Sequence, residues 1–361
     1  MRSAYVASKL PIDSSLIDRN YFYNELIDAV SQFEVYKEKI ADSKLDASWF
    51  MPTLQQKEAL ASSLIEGTQA TLDDVLIDQF APNEKDRNLN EIRNYYVATE
   101  YGYNYLRQNI FSNDFFCHLH EILMKGNVRK PELVGQFRNV QNYIGRNDLN
   151  HSITFVPPEA KCVVELMDNL VNYINAPEDN YRELVRVAIV HAQFETIHPF
   201  MDGNGRVGRI LVPMYMFAKR EINLPCFFIS EALERDKIRY YSLLNNTREK
   251  QDWNEWIRFF LKTVAKQCRK YIELLSYANN LYDSHLNIAR EAIRASNVVD
   301  IIDALYKYPV INAKTMSEVT GIPISSVNRY LAILVDKRIL FSDNKKRNKM
   351  YFYADLLSVL R

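Results

Sequence analysis

The feature that most constrains this chain is a stretch of twelve residues, His198 to Arg209, lying between two apolar-periodic runs. The run before it, 181–197, and the run after it, 207–220, both have the spacing of helices. Asp-Gly-Asn-Gly at 202–205 favours a tight loop, because glycine and asparagine tolerate positive φ angles. A glycine-rich turn that opens a helix leaves several backbone N–H groups pointing one way, and the helix dipole adds positive potential. The stretch therefore predicts an anion site.

The side chains of this loop narrow the kind of anion. Arg206 and Arg209 are three residues apart and share a helix face, which suits a polyphosphate. His198 can accept a proton near neutral pH, and Asp202 can hold Mg²⁺ beside phosphate oxygens. The loop lacks the lysine of a P-loop and does not fit G-x-G-x-x-G after a strand. An ordinary helix–helix turn would account for each residue singly, but not for all of them within a dozen positions.

The stretch resembles the signature of the Fic family, H-P-F-x-D/E-G-N-G-R-x-x-R, at every position from His198 to Arg209. The resemblance implies transfer of AMP from ATP, with Mg²⁺, to a hydroxyl of a target protein or of the chain itself. It makes His198 the general base and Asp202 the Mg²⁺ ligand. The phosphates would lie on the residues that follow, namely Gly203, Asn204, Gly205, Arg206, Val207, Gly208 and Arg209.

A second motif lies at the end of a helix predicted for 53–65, which Pro52 opens and Gly67 stops. Ser62 and Glu66 are four residues apart and share a face of that helix. Alone, Glu66 is more typical of a solvated or capping residue. Beside the loop, Ser-x-x-x-Glu-Gly resembles the inhibitory motif of Fic proteins. The resemblance implies that Glu66 pairs with Arg209, which would otherwise hold the γ-phosphate.

Two short β-prone pieces, 140–144 and 152–156, surround a turn-rich segment and predict a β-hairpin that ends at two prolines. The hairpin suits an ordinary surface position. The resemblance implies instead a flap that clamps the target protein by strand addition, through Ile153, Thr154 and Phe155.

Other histidines and aromatics give weaker indications. His118 and His120 are two apart on a predicted helix and face different ways, so a metal pair is not expected. His191 is expected in the core. Tyr240 lies in a helix predicted from 231 onward, with Ser230 as its N-cap. It is typical of a core aromatic, but the resemblance makes it a candidate for the ATP site, near the adenine.

Residues 297–361 predict a separate winged helix-turn-helix domain: helices at 298–308, 313–320 and 327–337, then strands at 339–341 and 350–353. Its third helix offers Asn328 and Arg329 near the N-terminus, where a recognition helix meets base edges. The loop between the strands carries Lys345, Lys346 and Arg347, a cluster suited to phosphates. Binding of DNA and binding of protein both stay open.

Composition bounds the remaining choices. Lys plus Arg and Asp plus Glu balance at 45 each, so no overall field favours nucleic acid or an acidic membrane. The four cysteines form no C-x-x-C pair, and neither a signal peptide nor a membrane span is expected, which favours a cytoplasmic protein without membrane contact. Few glycines and repeated helical periodicity predict a mainly α fold.

The expected organisation has three parts: an N-terminal helical domain (1–110) with the inhibitory helix, a Fic core with its flap and a linker helix (111–290), and the winged helix-turn-helix domain (291–361). The favoured function is a Mg²⁺-dependent protein adenylyltransferase inhibited by Glu66. Open alternatives are transfer of another phosphate-linked group, removal of AMP, a nucleotide-sensing DNA-binding regulator, and a scaffold with vestigial catalysis. A homodimer is also left open.

Overall fold

A computed structural model of the chain describes residues 3–43, 47–80, 82–126, 133–145, 154–176, 181–224, 226–343, 345 and 348–361, with the backbone alone for 47–50. The fold is mainly α, as the sequence predicts. The helices are α1 (Tyr23–Ala41), α2 (Ala47–Ile65), α3 (Leu72–Asp78), α4 (Arg87–Leu106), α5 (Asn113–Met124), α6 (Val163–Asn175), α7 (Glu183–Ile197), α8 (Asn204–Ala218), α9 (Ser230–Arg235), α10 (Lys237–Glu249), α11 (Trp253–Ile293), α12 (Val298–Lys307), α13 (Ala313–Thr320), α14 (Ile324–Asp336) and α15 (Ala354–Leu360). The strands are β1 (Val310–Asn312), β2 (Phe341–Ser342) and β3 (Met350–Phe352).

The chain forms two compact units, each assembled from separate segments. The first comprises Met1–Phe33, Ala61–Thr68 and Asn90–Gln267, and the second comprises Glu34–Leu60, Gln69–Leu89 and Cys268–Arg361. The three-domain division expected from the sequence stays a prediction.

Helix α7 is the centre of the first unit. All fifteen of its residues are buried, and it packs against α6, α8 and α10. Its six polar residues are spread around the helix and do not form one face, as expected for a helix that is enclosed on all sides. Trp256 of α11 donates a hydrogen bond from Nε1 to the carbonyl of Ala188 (2.8 Å), fixing a further helix against the same core.

Several predicted helix boundaries are wrong. Helix α2 begins at Ala47, so Pro52 lies inside it instead of opening it. Ser230 is the first residue of α9 and not its N-cap, and that helix has no side-chain cap. The helix predicted from 327, with Ser325 as its cap, begins at Ile324 (α14), so Ser325 is its second residue and does not cap it. The predicted helix from 231 is divided at Asp236, where φ and ψ leave the helical region and α10 begins anew.

The predicted hairpin is described only at its base. Ile144 and Phe155 form an antiparallel bridge, with N–H to carbonyl distances of 3.0 Å and 3.2 Å in the two directions. Its tip, including Ile153, lies outside the described residues. The flap therefore stays a prediction.

In the second unit, β1, β3 and β2 form an antiparallel sheet in that order, with Ile311 and Ser342 both opposite Tyr351. Two helices, α13 and α14, precede the β2–β3 pair, in the order that the sequence predicts; β1 is additional. The interpretation as a DNA-binding winged helix stays a prediction. Among the described residues, no helix has the length and apolarity needed to cross a membrane.

Candidate active site

The loop after α7 is held in an unusual backbone conformation. His198 ends the helix with φ 51° and ψ 60°, and its N–H donates to the carbonyl of Phe194 (3.0 Å). Gly203 precedes α8 with φ 76°. A left-handed conformation at a residue other than glycine is uncommon and persists only where the surroundings determine it. The loop must therefore be braced by neighbouring residues.

One brace comes from the first part of the predicted hairpin and the residues just before it. Arg138 donates from Nε to the carbonyl of His198 (2.9 Å), and its N–H donates to the carbonyl of Pro199 (2.8 Å). Asn142 donates from Nδ2 to the carbonyl of Phe200 (2.9 Å). Burial lowers the pKa of Arg138 to about 10, so it stays charged near neutral pH. The loop carbonyls thus have charged and amide donors in place of water.

A second brace is His120 of α5. Its Nδ1 accepts from the N–H of Gly135 (3.0 Å), and its Nε2 lies 3.1 Å from the carbonyl of Asp202. One ring nitrogen must accept and the other must donate, so the pair of contacts fixes the neutral tautomer with hydrogen on Nε2. Burial lowers the pKa of His120 to about 4, consistent with that neutral form. The ring also stacks on Phe200, with centroids 3.9 Å apart.

A cavity of about 500 Å³ opens over the loop. This volume lies within the range of roughly 300–1,000 Å³ typical of small-molecule sites. Its lining combines the loop, the hairpin base, α10 and two carboxylates from other segments. The lining residues are Glu66, Tyr143, Ile144, Gly145, Thr154, Glu195, His198, Met201, Asp202, Gly203, Asn204, Gly205, Tyr241, Leu244, Asn245 and Arg248.

His198 lines this cavity as a neutral imidazole. Burial, with the positive charge of Arg248, lowers the pKa of His198 to about 3. Its Nδ1 is buried, and the ring interacts with the backbone of Glu195, which leaves Nε2 as the nitrogen that can take a proton from a ligand in the cavity. A neutral imidazole facing a cavity can act as a base without first losing a proton.

The structure brings Ser62 and Glu66 onto Arg209, which is fully buried. Arg209 donates from Nε to the Ser62 hydroxyl (2.8 Å), and from Nη2 to the Ser62 carbonyl (3.0 Å) and Glu66 Oε1 (2.6 Å). Burial alone would raise the pKa of Glu66, but Arg209, with help from Arg206 and Lys237, holds it below its ordinary value. Glu66 is therefore a carboxylate near neutral pH.

Gly205 provides the room for this ion pair. A Cβ at position 205 would collide with Glu66 Oε1 and lie 2.9 Å from Arg209 Nη1. The absence of a side chain in the first turn of α8 thus has two consequences. The pair can approach the helix closely, and the unpaired amides of that turn stay open to the cavity.

Asp202 is exposed, and one of its oxygens, Oδ1, accepts from the N–H of Gly203 (2.7 Å). In the described part of the chain, no group of three or more His, Cys, Asp or Glu side chains could hold a metal ion. Asp202 therefore offers one carboxylate at the cavity wall.

Several predicted phosphate-site residues lie behind the cavity. Val207 and Gly208 are buried on the core side of α8, and the Gly208 carbonyl lies 2.9 Å from His191 Nδ1. The Asn204 side chain bonds the backbone of Phe200 through both Oδ1 and Nδ2 (2.8 Å each), so only its backbone could face a phosphate.

Tyr240 is fully buried, and its hydroxyl lies 2.9 Å from His191 Nε2. It does not line the cavity, whereas the next residue, Tyr241, does. This placement argues against direct contact between Tyr240 and a ligand in the cavity.

The sequence analysis did not predict that one face of α10 lines the cavity, through Tyr241, Leu244, Asn245 and Arg248. Arg248 donates to Thr196 Oγ1 (3.1 Å), Asn245 Oδ1 (3.1 Å) and the Glu195 carbonyl (3.0 Å), and its guanidinium lies over Phe155 (4.2 Å). The sequence does contain a signal for this face, because the four residues are spaced three or four apart and so lie on one side of a helix.

Glu195 was also missed. Its Oε1 is buried without a hydrogen-bond partner among the described residues, and a Cβ at Gly208 would collide with it. Burial raises the pKa of Glu195 to about 7, although Arg209 lowers it. A carboxyl group that titrates near neutral pH beside a nucleotide-sized cavity is typical of functional sites.

Comparison with known proteins identifies the family. The sequence model described as Fic/DOC family matches residues 110–216, and the one described as Fic/DOC family N-terminal matches residues 24–104. Together they take up just over half of the chain. The chain belongs to the Fic family.

The curated relatives are distant and longer than the matched region. "Probable protein adenylyltransferase aq_aa38" of Aquifex aeolicus is 26% identical over 224 residues, which cover 55% of this chain and 65% of the relative. "Protein adenylyltransferase fic-1" of Caenorhabditis elegans is 27% identical over 143 residues, which cover 39% of this chain and 25% of the relative. The chain thus spans less than two thirds of these relatives.

Solved structures share the fold. A Fic family protein from Desulfovibrio desulfuricans G20 superposes with a TM-score of 0.57 at 20% identity, covering 91% of this chain and 95% of that one. Fic-1 from C. elegans gives a TM-score of 0.55 at 19% identity, covering 72% and 74%. At such identities the likeness establishes the fold alone.

Proposed function

We propose that this protein is a protein adenylyltransferase that moves AMP from ATP to a hydroxyl group of a target protein or of itself. The observation that carries the proposal is the placement of neutral His198 at the cavity wall, next to the open amides of the loop, with two buried arginines behind them. Relatives named as protein adenylyltransferases support the same activity.

In the proposed reaction, His198 Nε2 takes the proton of a Ser, Thr or Tyr hydroxyl. The hydroxyl oxygen then bonds to the α-phosphorus as the bond to the leaving pyrophosphate breaks. The amides of Asn204 and Gly205 would hold the phosphate oxygens, together with that of Gly203, whose N–H now donates to Asp202 Oδ1 (2.7 Å). Arg206 would add positive charge. Arg209 would receive the γ-phosphate in the absence of Glu66.

The site fits Mg²⁺ delivered together with the nucleotide. Asp202 supplies one exposed carboxylate, and Mg²⁺ is usually held by one or two carboxylates plus substrate phosphates and water. When bound, the ion would neutralise phosphate charge.

Glu66 would act as an internal inhibitor. Its carboxylate occupies Arg209 and would repel a γ-phosphate, so ATP would bind with its α-phosphate displaced from His198. A displacement of about 1 Å can cost ~10²-fold in rate. The hairpin base, with Thr154 at the cavity and Phe155 beneath Arg248, would present the target hydroxyl by strand addition.

The position of the label tests the reaction type. Protein carrying Glu66→Gly is incubated with Mg²⁺, a cell lysate and ATP labelled at the α- or the γ-phosphate. Protein should become labelled from α-labelled ATP alone, because pyrophosphate leaves with the γ-phosphate. Label from γ-labelled ATP would indicate phosphate transfer instead. If neither form of labelled ATP labels protein although the nucleotide binds, the nucleotide-sensing regulator would be favoured. A parallel incubation of pre-labelled protein without ATP measures removal of AMP.

DNA binding by residues 297–361 is a second proposed function. This segment carries ten Lys and Arg against six Asp and Glu, whereas the whole chain is balanced. Asn328 and Arg329 of α14 are exposed, while Val327 and Tyr330 pack inward. Lys345 is also exposed; Lys346 and Arg347 lie outside the described residues.

Duplexes selected from a random pool on the full chain provide the test. In mobility shifts, Arg329→Ala should weaken binding to the selected sequence by about 1–3 kcal/mol and relax its specificity. Lys345→Ala should weaken all duplexes alike and reduce the salt slope by about one. Failure to select any sequence, with no shift at physiological salt, would favour protein contacts for this segment.

A further inference from the structure

The first arginine of the loop has its own carboxylate partner, on a helix remote from the motif. Arg206 is buried, and its Nη1 lies 3.5 Å from Oε2 of Glu91, on α4. The two side chains are 6% and 14% exposed. The Arg206 Nε has no hydrogen-bond partner among the described residues, and Nη2 contacts Met124 Sδ at 3.5 Å. Glu91 is therefore a carboxylate at ion-pair distance from this buried cation, without a hydrogen bond to Nη1.

The same carboxylate oxygen also binds the inhibitory segment. Thr68 donates from Oγ1 to Glu91 Oε2 at 3.0 Å. Thr68 is itself buried, and its N–H donates to the carbonyl of Ser63 (3.2 Å), which ties it to the end of α2. Glu91 Oε2 thus lies between a hydroxyl of the inhibitory segment and the guanidinium of Arg206.

The segment 62–68 consequently reaches both arginines of the loop. Glu66 binds Arg209 directly, and Thr68 reaches Arg206 through Glu91. Only Gly67 separates Glu66 from Thr68, so a movement that takes Glu66 off Arg209 would also draw Thr68 from Glu91. When the Thr68 hydroxyl leaves, Oε2 of Glu91 has one donor fewer to share, which would strengthen its interaction with Arg206.

We propose that Glu91 is a positioning residue for Arg206, and that its hydrogen bond with Thr68 couples the first arginine to the position of the inhibitory segment. This inference rests on the proposed adenylyl transfer. While the segment is docked, Glu91 is shared and Arg206 is held loosely. Once the segment leaves, Glu91 fixes Arg206 against the phosphates as Arg209 becomes free for the γ-phosphate.

Thr68→Val tests the coupling, because it removes the hydroxyl and keeps the shape. AMP transfer should rise about tenfold, the effect of one lost hydrogen bond to a charged group. The same change combined with Glu66→Gly should add little. Thr99→Val is the matched control, since the Thr99 hydroxyl is buried on α4 and donates only to the Tyr95 carbonyl (2.8 Å). An equal effect of the control, or no effect of Thr68→Val, would overturn the coupling.

Glu91→Gln tests the positioning role, because glutamine keeps an acceptor for Thr68 but loses the charge that faces Arg206. In the Glu66→Gly background, kcat should fall about tenfold while KM for the target is unchanged, and Glu91→Asp should recover part of the loss. Glu121→Gln, at an exposed position on α5, is the control. An unchanged or raised kcat would show that Glu91 does not position Arg206.

Calorimetric binding of Mg²⁺-ATP to the same variants separates this inference from the proposed function. If Glu66→Gly transfers no AMP, the proposed function fails, and affinity decides the inference. Glu91→Gln should then weaken ATP binding about fivefold and Thr68→Val should strengthen it. Unchanged affinities in both, with melting temperatures equal to those of the controls, would overturn it.

Discussion

His198→Ala should reduce AMP transfer by about 10²–10⁴-fold, the usual contribution of a general base. The structure gives a specific reason for a large effect. The imidazole is neutral, because burial and Arg248 lower its pKa to about 3. Its carbonyl is held by Arg138 Nε (2.9 Å), so the residue is fixed at this point of the loop.

Initial rates with α-labelled ATP, measured in the Glu66→Gly background, check this expectation. His118→Ala is a matched control, because His118 is an exposed histidine on α5 that pairs with Glu121 (3.2 Å). ATP affinity and the melting temperature should be nearly unchanged in both variants, so that lost activity reflects lost proton transfer. Residual transfer above a tenth of the parent rate would remove His198 from the role of base.

Much of the loop could be predicted from sequence because its parts are local. The glycines, the histidine before them and the two arginines lie within twelve residues, and their spacing fixes which share a helix face. The pairing of Glu66 with Arg209 was also expected, but from a resemblance rather than from spacing. Nothing in residues 62–66 alone indicates which helix they contact.

The braces of the loop could not be predicted. His120 and Arg138 come from segments about 60 to 80 residues before the atoms that they bind. Neither lies in a periodic pattern that points to the loop. Which carbonyl a buried donor reaches depends on packing between helices, which a single sequence does not encode locally.

The choice of Tyr240 over Tyr241 shows a different limit. Neighbouring residues on a helix point about 100° apart, so a small error in phase exchanges a core residue for a cavity residue. Which α10 residues face the cavity depends on the break at Asp236, where the helix begins anew. The prediction of one continuous helix from 231 does not contain this break. Helix α2 presents the same difficulty at Pro52, since a proline near a helix start is more often its first residue.

Glu66→Gly should raise AMP transfer about 10²-fold, because it removes the carboxylate that occupies Arg209. The arginine would keep its bonds to Ser62, and the Nη2 hydrogen that now points to Glu66 would be open to the γ-phosphate. The gain should be smaller for Glu66→Gln, which keeps an acceptor for Arg209 but not the repulsion of a phosphate. Glu66→Gln should still exceed the parent because it lacks the charge, since glutamine and glutamate have nearly the same size.

Initial rates with α-labelled ATP compare the parent, Glu66→Gln and Glu66→Gly under one Mg²⁺ concentration. Glu165→Gly is a suitable control, because Glu165 pairs with Lys9 on the surface and is 67% exposed. Adding His198→Ala to Glu66→Gly should return the rate to background, which separates release of inhibition from a new reaction. Equal rates for the parent and Glu66→Gly would show that the Glu66–Arg209 pair stabilises the fold without restraining the enzyme.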